Sequence, residues 1–159
     1  MSDLAERVVK LFTEKGMSFG FAESLTGGMI SSEIVGVPGA SAVFSGSVIC
    51  YTNDVKMNVL GVPSPVIDEH TEVSGECAEK MAEGVCNVIG CDCSVAVTGI
   101  AGPTGELPGK PVGTVYFGYK FNEKKGSFRR VFSGDRLEIR KQTVSCALET
   151  LISIAEGKI

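Results

Sequence analysis

The sequence predicts an α/β fold, a single-domain α/β/α sandwich with a mixed, mostly parallel sheet. Three observations point to it. Strand-like and helix-like segments alternate along most of the chain, the order that parallel strands with helical crossovers require. The run CSVAV (93–97) is continuously apolar but for the small Ser94, as expected of a strand covered on both faces. Two late strand-like segments, 114–121 and 127–132, lie close enough to pair as a hairpin, which makes the sheet mixed. At 159 residues the chain suits one domain, 1–159, able to bury roughly 70% of its unfolded surface without a staple.

The elements follow in order. MSDLAERVVKLFTEKG sets Leu4, Val8, Leu11 and Phe12 on one face of a helix. Residues 18–23 read as a short strand that stops at Ser24-Leu25-Thr26-Gly27-Gly28, with a helix to about Val35 behind it. Residues 43–51 make the next strand. Asn53 is expected to cap a short helix, 53–60, closed by Gly61. Pro63 and Pro65 turn 62–69 into a loop. Residues 74–89 form a clear helix, with Ala78, Met81, Ala82, Val85, Val88 and Ile89 as its apolar stripe and Gly90 ending it. The 93–97 strand runs into a glycine- and proline-rich loop, 99–113. The hairpin strands flank a turn at 123–126, and 136–155 is the final helix.

Composition narrows the function. Hydrophobic residues make up 43% and charged residues 21%, which excludes a disordered chain. A net charge of -4 without a basic block argues against nucleic acid as a partner. The apolar runs are too short to span a bilayer, and the N-terminus lacks the basic flank and apolar core of a signal peptide. A cytoplasmic protein without membrane contact is expected. The six cysteines include no C-x-x-C pair, and Cys91-Asp92-Cys93 falls short of a zinc site. They read as reduced, buried thiols. No metal and no cofactor are expected.

Chemistry concentrates after the predicted strands, where α/β folds bind ligands. Thr26-Gly27-Gly28 opens a helix, and free N–H groups there attract anions such as phosphate. Ser41, Tyr51 and Lys56 lie within sixteen residues and offer a nucleophile, a phenol and an amine. The single histidine, His70, reads as exposed, so lysine is the natural substitute for a histidine base. An ordinary lysine is protonated at neutral pH, and burial or a helix N-terminus must favour its neutral form. A helix starting at Asn53 would put Lys56 in its first turn. Residue chemistry alone does not choose among Ser24, Ser41, Ser45 and Ser47 as nucleophile. The 99–113 loop is long enough to be functional, is not a Walker A loop, and leaves Lys110 at the surface without a catalytic role. Arg136 and Arg140, one turn apart, suit an anion. Glu23 reads as a ligand for a ribose hydroxyl or as a helix cap.

Taken together, AESLTGG (22–28), GAS (39–41), YTNDVKMNVLGV (51–62), TGIAGP (98–103), KPVGTV (110–115) and GDRLEIR (134–140) resemble the CinA C-terminal domain family. The likeness covers nearly the whole chain in order and spacing. Enzymatic members of that family are nicotinamide mononucleotide deamidases (PncC-type amidohydrolases). The resemblance therefore implies hydrolysis of a mononucleotide amide to nicotinate mononucleotide and ammonia, without metal or cofactor. By motif position it implies Ser41 as nucleophile, Lys56 as base and Tyr51 assisting. The Gly39–Ser41 turn would then supply oxyanion donors. Ser24, Thr26, Gly27, Gly28, Thr98 and Gly99 would line the substrate site, with Arg136 or Arg140, preferably Arg140, holding the substrate. A homo-oligomer, dimeric or larger, is also implied. Leu25 stands where many members carry cysteine, and Thr104-Gly105-Glu106 replaces a more glycine-rich run. The larger domain that precedes this one in full-length CinA proteins is not expected here, nor is any role tied to it. A non-catalytic nucleotide-binding module and an amidase for another phosphorylated ribosyl amide are the competing expectations.

Overall fold

The computed structural model describes all 159 residues. Its elements in chain order are α1 (Ser2–Lys15), β1 (Phe19–Glu23), α2 (Met29–Val35), β2 (Phe44–Ile49), α3 (Asn53–Asn58), α4 (Ser64–His70), α5 (Gly75–Ile89), β3 (Cys93–Gly99), β4 (Thr114–Phe121), β5 (Lys124–Val131) and α6 (Arg136–Ala155). A short 3-10 turn, Ala40–Ala42, precedes β2. The sheet order is β2-β1-β3-β4-β5. β2, β1 and β3 are parallel, and β4 and β5 add antiparallel pairs, so only β4 opposes the direction of the other four. The mixed, mostly parallel α/β sandwich predicted from the pattern is the observed one.

The strand pattern explains the two layers of helix. Phe19 and Phe21 of β1, Cys93, Val95 and Val97 of β3, and Val115 and Phe117 of β4 face a large core closed by α1, α2 and α6. Ala22 and Ala96 point the other way, into a smaller core with Cys77, Met81, Ala82 and Val85 of α5. Both central strands are thus covered on both faces, which is why the one polar side chain of 93–97, Ser94, is buried and donates to Ala82 O at 2.7 Å. Burial of Phe19, Phe21, Phe117 and Leu148, each 0% exposed, contributes roughly 1.5–3 kcal/mol per side chain.

Three local expectations change. Residues 64–70 are helical, because Pro63 is the cap and Pro65 occupies the first turn, where a missing N–H costs no bond. The hairpin turn is Asn122-Glu123, since Phe121 pairs with Lys124 and Asn122 adopts φ 52. Thr52, not Asn53, caps α3: its Oγ1 accepts from Val55 N–H at 3.4 Å. The segment that follows α3 packs on Gly84 of α5, where any Cβ would overlap the Leu60 carbonyl. No helix is long and apolar enough to cross a membrane.

Candidate active site

Parallel β1, β2 and β3 end together, and the chain places polar side chains just beyond those ends. Ser24 follows β1, Thr98 and Gly99 close β3, and β2 leads through Cys50 and Tyr51 into α3 and Lys56. Between them lies a cleft of about 310 Å³, also lined by Leu25, Glu72, the first residues of the 99–113 loop and Arg136. That volume is at the small end of the range for small-molecule sites.

Lys56 is 1% exposed. Its Nζ donates to the Cys50 carbonyl at 2.8 Å and the Tyr51 carbonyl at 3.4 Å, and lies 3.2 Å from Ser24 Oγ. All three partners are neutral oxygens. A neutral amine has two N–H groups and one lone pair. In that form, with both N–H groups on the carbonyls, the lone pair would face the Ser24 hydroxyl, the arrangement a base beside a nucleophile requires. The Lys56 N–H is already bonded to Thr52 O at 3.1 Å, so strand-end carbonyls, not the start of α3, set the amine's position. Tyr51 contributes its carbonyl here. Its ring is 62% exposed, and its hydroxyl accepts from Arg136 Nη2 at 3.5 Å at the cleft mouth.

Ser41 is not part of this group. It is exposed, in the 3-10 turn before β2, whereas Lys56 follows β2. The six residues of β2 span about 16 Å at ~3.3 Å per step, and the Gly39–Ser41 turn lies at the opposite end of the sheet from Lys56. Ser24, 8% exposed, replaces it as the serine beside the lysine. The signal was available in the sequence: Ser24 follows its strand, and Ser41 precedes its own. The cysteines do not compete for the role. Burial pushes the Cys50 and Cys77 thiols up to about 11, so both stay protonated at neutral pH.

The Thr26-Gly27-Gly28 turn does not offer an anion site, because the chain fills it. Glu23, fully buried, accepts from Thr26 Oγ1 at 2.7 Å, Gly28 N–H at 2.9 Å and Ile30 N–H at 3.1 Å through Oε2. Its Oε1 accepts from Ser31 N–H at 2.9 Å and Ser31 Oγ at 2.6 Å. The carboxylate thus takes the place expected for a phosphate at the start of α2. Of the two readings of Glu23, capping is the one observed.

The two arginines divide their work. A capping box, with Asp135 accepting from Glu138 N–H at 2.9 Å and Glu138 accepting from Asp135 N–H at 2.7 Å, fixes the start of α6. Arg136 then reaches the cleft, donating to Gly102 O at 2.7 Å. Arg140 instead donates to Leu25 O at 2.9 Å and Thr26 O at 3.0 Å, which holds the turn after Ser24. Of the two, Arg136 and not Arg140 lines the cleft. Thr98 Oγ1 donates to Glu72 O at 2.8 Å, tying the β3 end to the segment before α5. Lys110 is not a free surface charge: it donates to His70 O at 3.1 Å, Thr71 Oγ1 at 3.1 Å and Val73 O at 2.6 Å.

Two features escaped the sequence reading. The Leu25 N–H, next to Ser24 and at the cleft wall, donates to no group of the chain. Glu72 lines the cleft although no motif marks it. No three His, Cys, Asp or Glu side chains are grouped to hold a metal ion.

Comparison with known proteins agrees with this architecture. The profile of the CinA C-terminal domain family matches residues 1–155. The CinA-like protein of Thermotoga maritima is 43% identical over 155 residues, which is 98% of this chain and 38% of that protein. The CinA-like protein of Dictyoglomus turgidum is 45% identical over 150 residues, 94% of this chain and 36% of its own length. The chain thus spans well under half the length of these curated relatives. Among solved structures, a CinA superfamily protein of Klebsiella pneumoniae 700603 superposes with a TM-score of 0.95 at 29% identity, over 98% of both chains. A competence/damage inducible protein of Agrobacterium tumefaciens gives 0.92 at 38% identity, over 96% of this chain and 93% of that one. On both sequence and structure, the chain belongs to the CinA C-terminal domain family.

Proposed function

We propose that the chain is an amidohydrolase that deamidates nicotinamide mononucleotide to nicotinate mononucleotide and ammonia, with Ser24 as nucleophile and Lys56 as base. The observation that carries the reading is Ser24 Oγ at 3.2 Å from a buried Lys56 Nζ, inside a mononucleotide-sized cleft with Arg136 at its rim. Ser24 Oγ attacks the amide carbon while its proton passes to Lys56. The carbonyl oxygen becomes an oxyanion, held by the Leu25 N–H. Lys56 returns the proton to the amide nitrogen as the C–N bond breaks, and ammonia leaves an acyl ester on Ser24. Water then attacks the ester, Lys56 accepts its proton, and Ser24 departs with that proton as the acid is released. Arg136 binds the phosphate, since arginine suits phosphate oxygens and this side chain lines the cleft.

The test is to incubate the pure protein with nicotinamide mononucleotide and measure ammonia against a Lys56→Ala variant. Steady release by the parent and its loss in the variant are expected. No release by the parent ends the proposal. Release of ammonia from other phosphorylated ribosyl amides at equal rate would replace this substrate with a broader class. A homo-oligomer belongs to the same reading: the β2 edge of the sheet, Phe44–Ile49, carries no charge, whereas Lys124, Lys125, Arg129 and Arg130 line the β5 edge. Light scattering that returns a monomer at micromolar concentration would remove it.

A further inference from the structure

Glu72 sits in a segment fixed from every side. Four consecutive carbonyls are each held by a side chain: His70 O by Lys110 at 3.1 Å, Thr71 O by Ser74 at 2.8 Å, Glu72 O by Thr98 at 2.8 Å and Val73 O by Lys110 at 2.6 Å. The segment also carries an unusual backbone. Thr71 adopts φ 67 and ψ 168, a region that β-branched residues avoid. Such a conformation persists only where the surroundings over-determine it, and it is found most often at functional sites. Lys110 on Thr71 Oγ1 at 3.1 Å supplies part of that determination. Everything around Glu72 is therefore held, yet its own carboxylate takes no hydrogen bond and no ion pair from the chain, and the residue lines the cleft. The same cleft carries Arg136, so side chains of both signs line it.

We infer that Glu72 is a specificity-determining residue that selects ligands with a cationic ring. This rests on the mononucleotide reading above and deepens it. A pyridinium nucleotide carries a positive ring and a negative phosphate. Arg136 recognises the phosphate, and Glu72 recognises the ring cation. A neutral ring of the same shape gains nothing from the carboxylate. Charge matching of this kind discriminates between ligands more than it adds raw affinity. One charge pair in a half-open cleft accounts for a preference of about fivefold, and salt weakens it.

The experiment compares oxidised nicotinamide mononucleotide with its reduced form, which keeps the ribose, phosphate and amide but has a neutral dihydropyridine ring. Binding is measured by calorimetry in a Ser24→Ala background, with Glu72, Glu72→Gln and Glu72→Asp. A preference of about fivefold for the oxidised ligand is expected with Glu72. It should vanish in Glu72→Gln, with affinity for the reduced ligand unchanged, and return in part in Glu72→Asp. Equal affinity with Glu72 present, or a preference that survives in Glu72→Gln, overturns the inference and leaves the deamidase proposal intact. Ammonia release by the parent protein judges that proposal separately. A protein that shows the Glu72-dependent preference and releases no ammonia keeps the inference and loses the reaction. A protein that binds neither ligand loses both.

Discussion

Replacing Glu23 by glutamine tests how the nucleophile is held. The carboxylate accepts five hydrogen bonds and has no exposed surface. Glutamine keeps the shape but turns one oxygen into an NH2 group. On the Oε2 side that group would meet three donors, from Thr26, Gly28 and Ile30, so it settles on the Oε1 side. There the Ser31 hydroxyl, which also meets Ser47 Oγ at 2.6 Å, rotates to accept, and the Ser31 N–H loses its partner. An orphaned buried N–H costs about 1–3 kcal/mol, and weakening the remaining bonds from charged to neutral adds about 1 kcal/mol. The expected loss is about 2–4 kcal/mol, or a fall in Tm of roughly 5–15 °C for a domain of this size. Urea unfolding followed by circular dichroism measures the first quantity and calorimetry the second. Because Ser24 adjoins Glu23, kcat on the mononucleotide should also fall while KM changes little. A variant within about 0.5 kcal/mol of the parent would refute the view that this carboxylate organises the turn.

Three further predictions concern the same region. Ser24→Ala should reduce ammonia release by a factor of at least about 10³, whereas Ser41→Ala should keep the parental rate within about twofold; a dead Ser41→Ala protein would mean that Ser41 reaches the cleft of another copy. Arg136→Leu should raise KM for the mononucleotide about 10–100-fold but leave the riboside, which lacks the phosphate, nearly unaffected. Arg140→Met should instead lower stability and kcat, and equal behaviour of the two variants toward the riboside would remove the division between them. Stability should fall in alkali. Burial pushes the Cys50 and Cys77 thiols up to about 11, above the ordinary value of 9.0 they regain on unfolding. Their contribution is full below pH 9 and is lost as the pH rises through 11, up to about 2–3 kcal/mol each. Urea midpoints between pH 8 and 11 measure it, and a Cys50→Ala, Cys77→Ala protein with an equally steep decline would show that other groups cause it.

Much of the frame was legible from local pattern. α5 announces itself by the stripe from Ala78 to Val85, Ser74 at its cap and Gly90 at its end. β3 shows its double burial by having no polar position between Val95 and Val97. Pro63 and Pro65 misled because a proline stops a helix in its interior yet fits its first turn, and only the following residues distinguish the cases. In the site, Lys56, Tyr51, Thr98, Gly99, Arg136 and Ser24 are all brought to one cleft. Ser41 is close to Lys56 along the chain, but a strand intervenes, and a strand carries its two ends apart.

The sequence by itself determined the α/β class, the family and the residue types of the chemistry, because periodicity, caps and motifs are properties of neighbouring positions. Only the tertiary structure decided which serine meets the lysine, that Glu23 fills the turn expected to hold a phosphate, and that Arg140 is bound to Leu25 and Thr26. The Glu23 contacts span only 3 to 8 positions, and the sequence left them open between a cap and a ligand; the other two outcomes depend on the parallel arrangement of β1, β2 and β3 or on α6 crossing back to β1. The contacts of Ser24 with Lys56 and of Arg140 with Leu25 join residues 32 and 115 positions apart, and no local pattern encodes them.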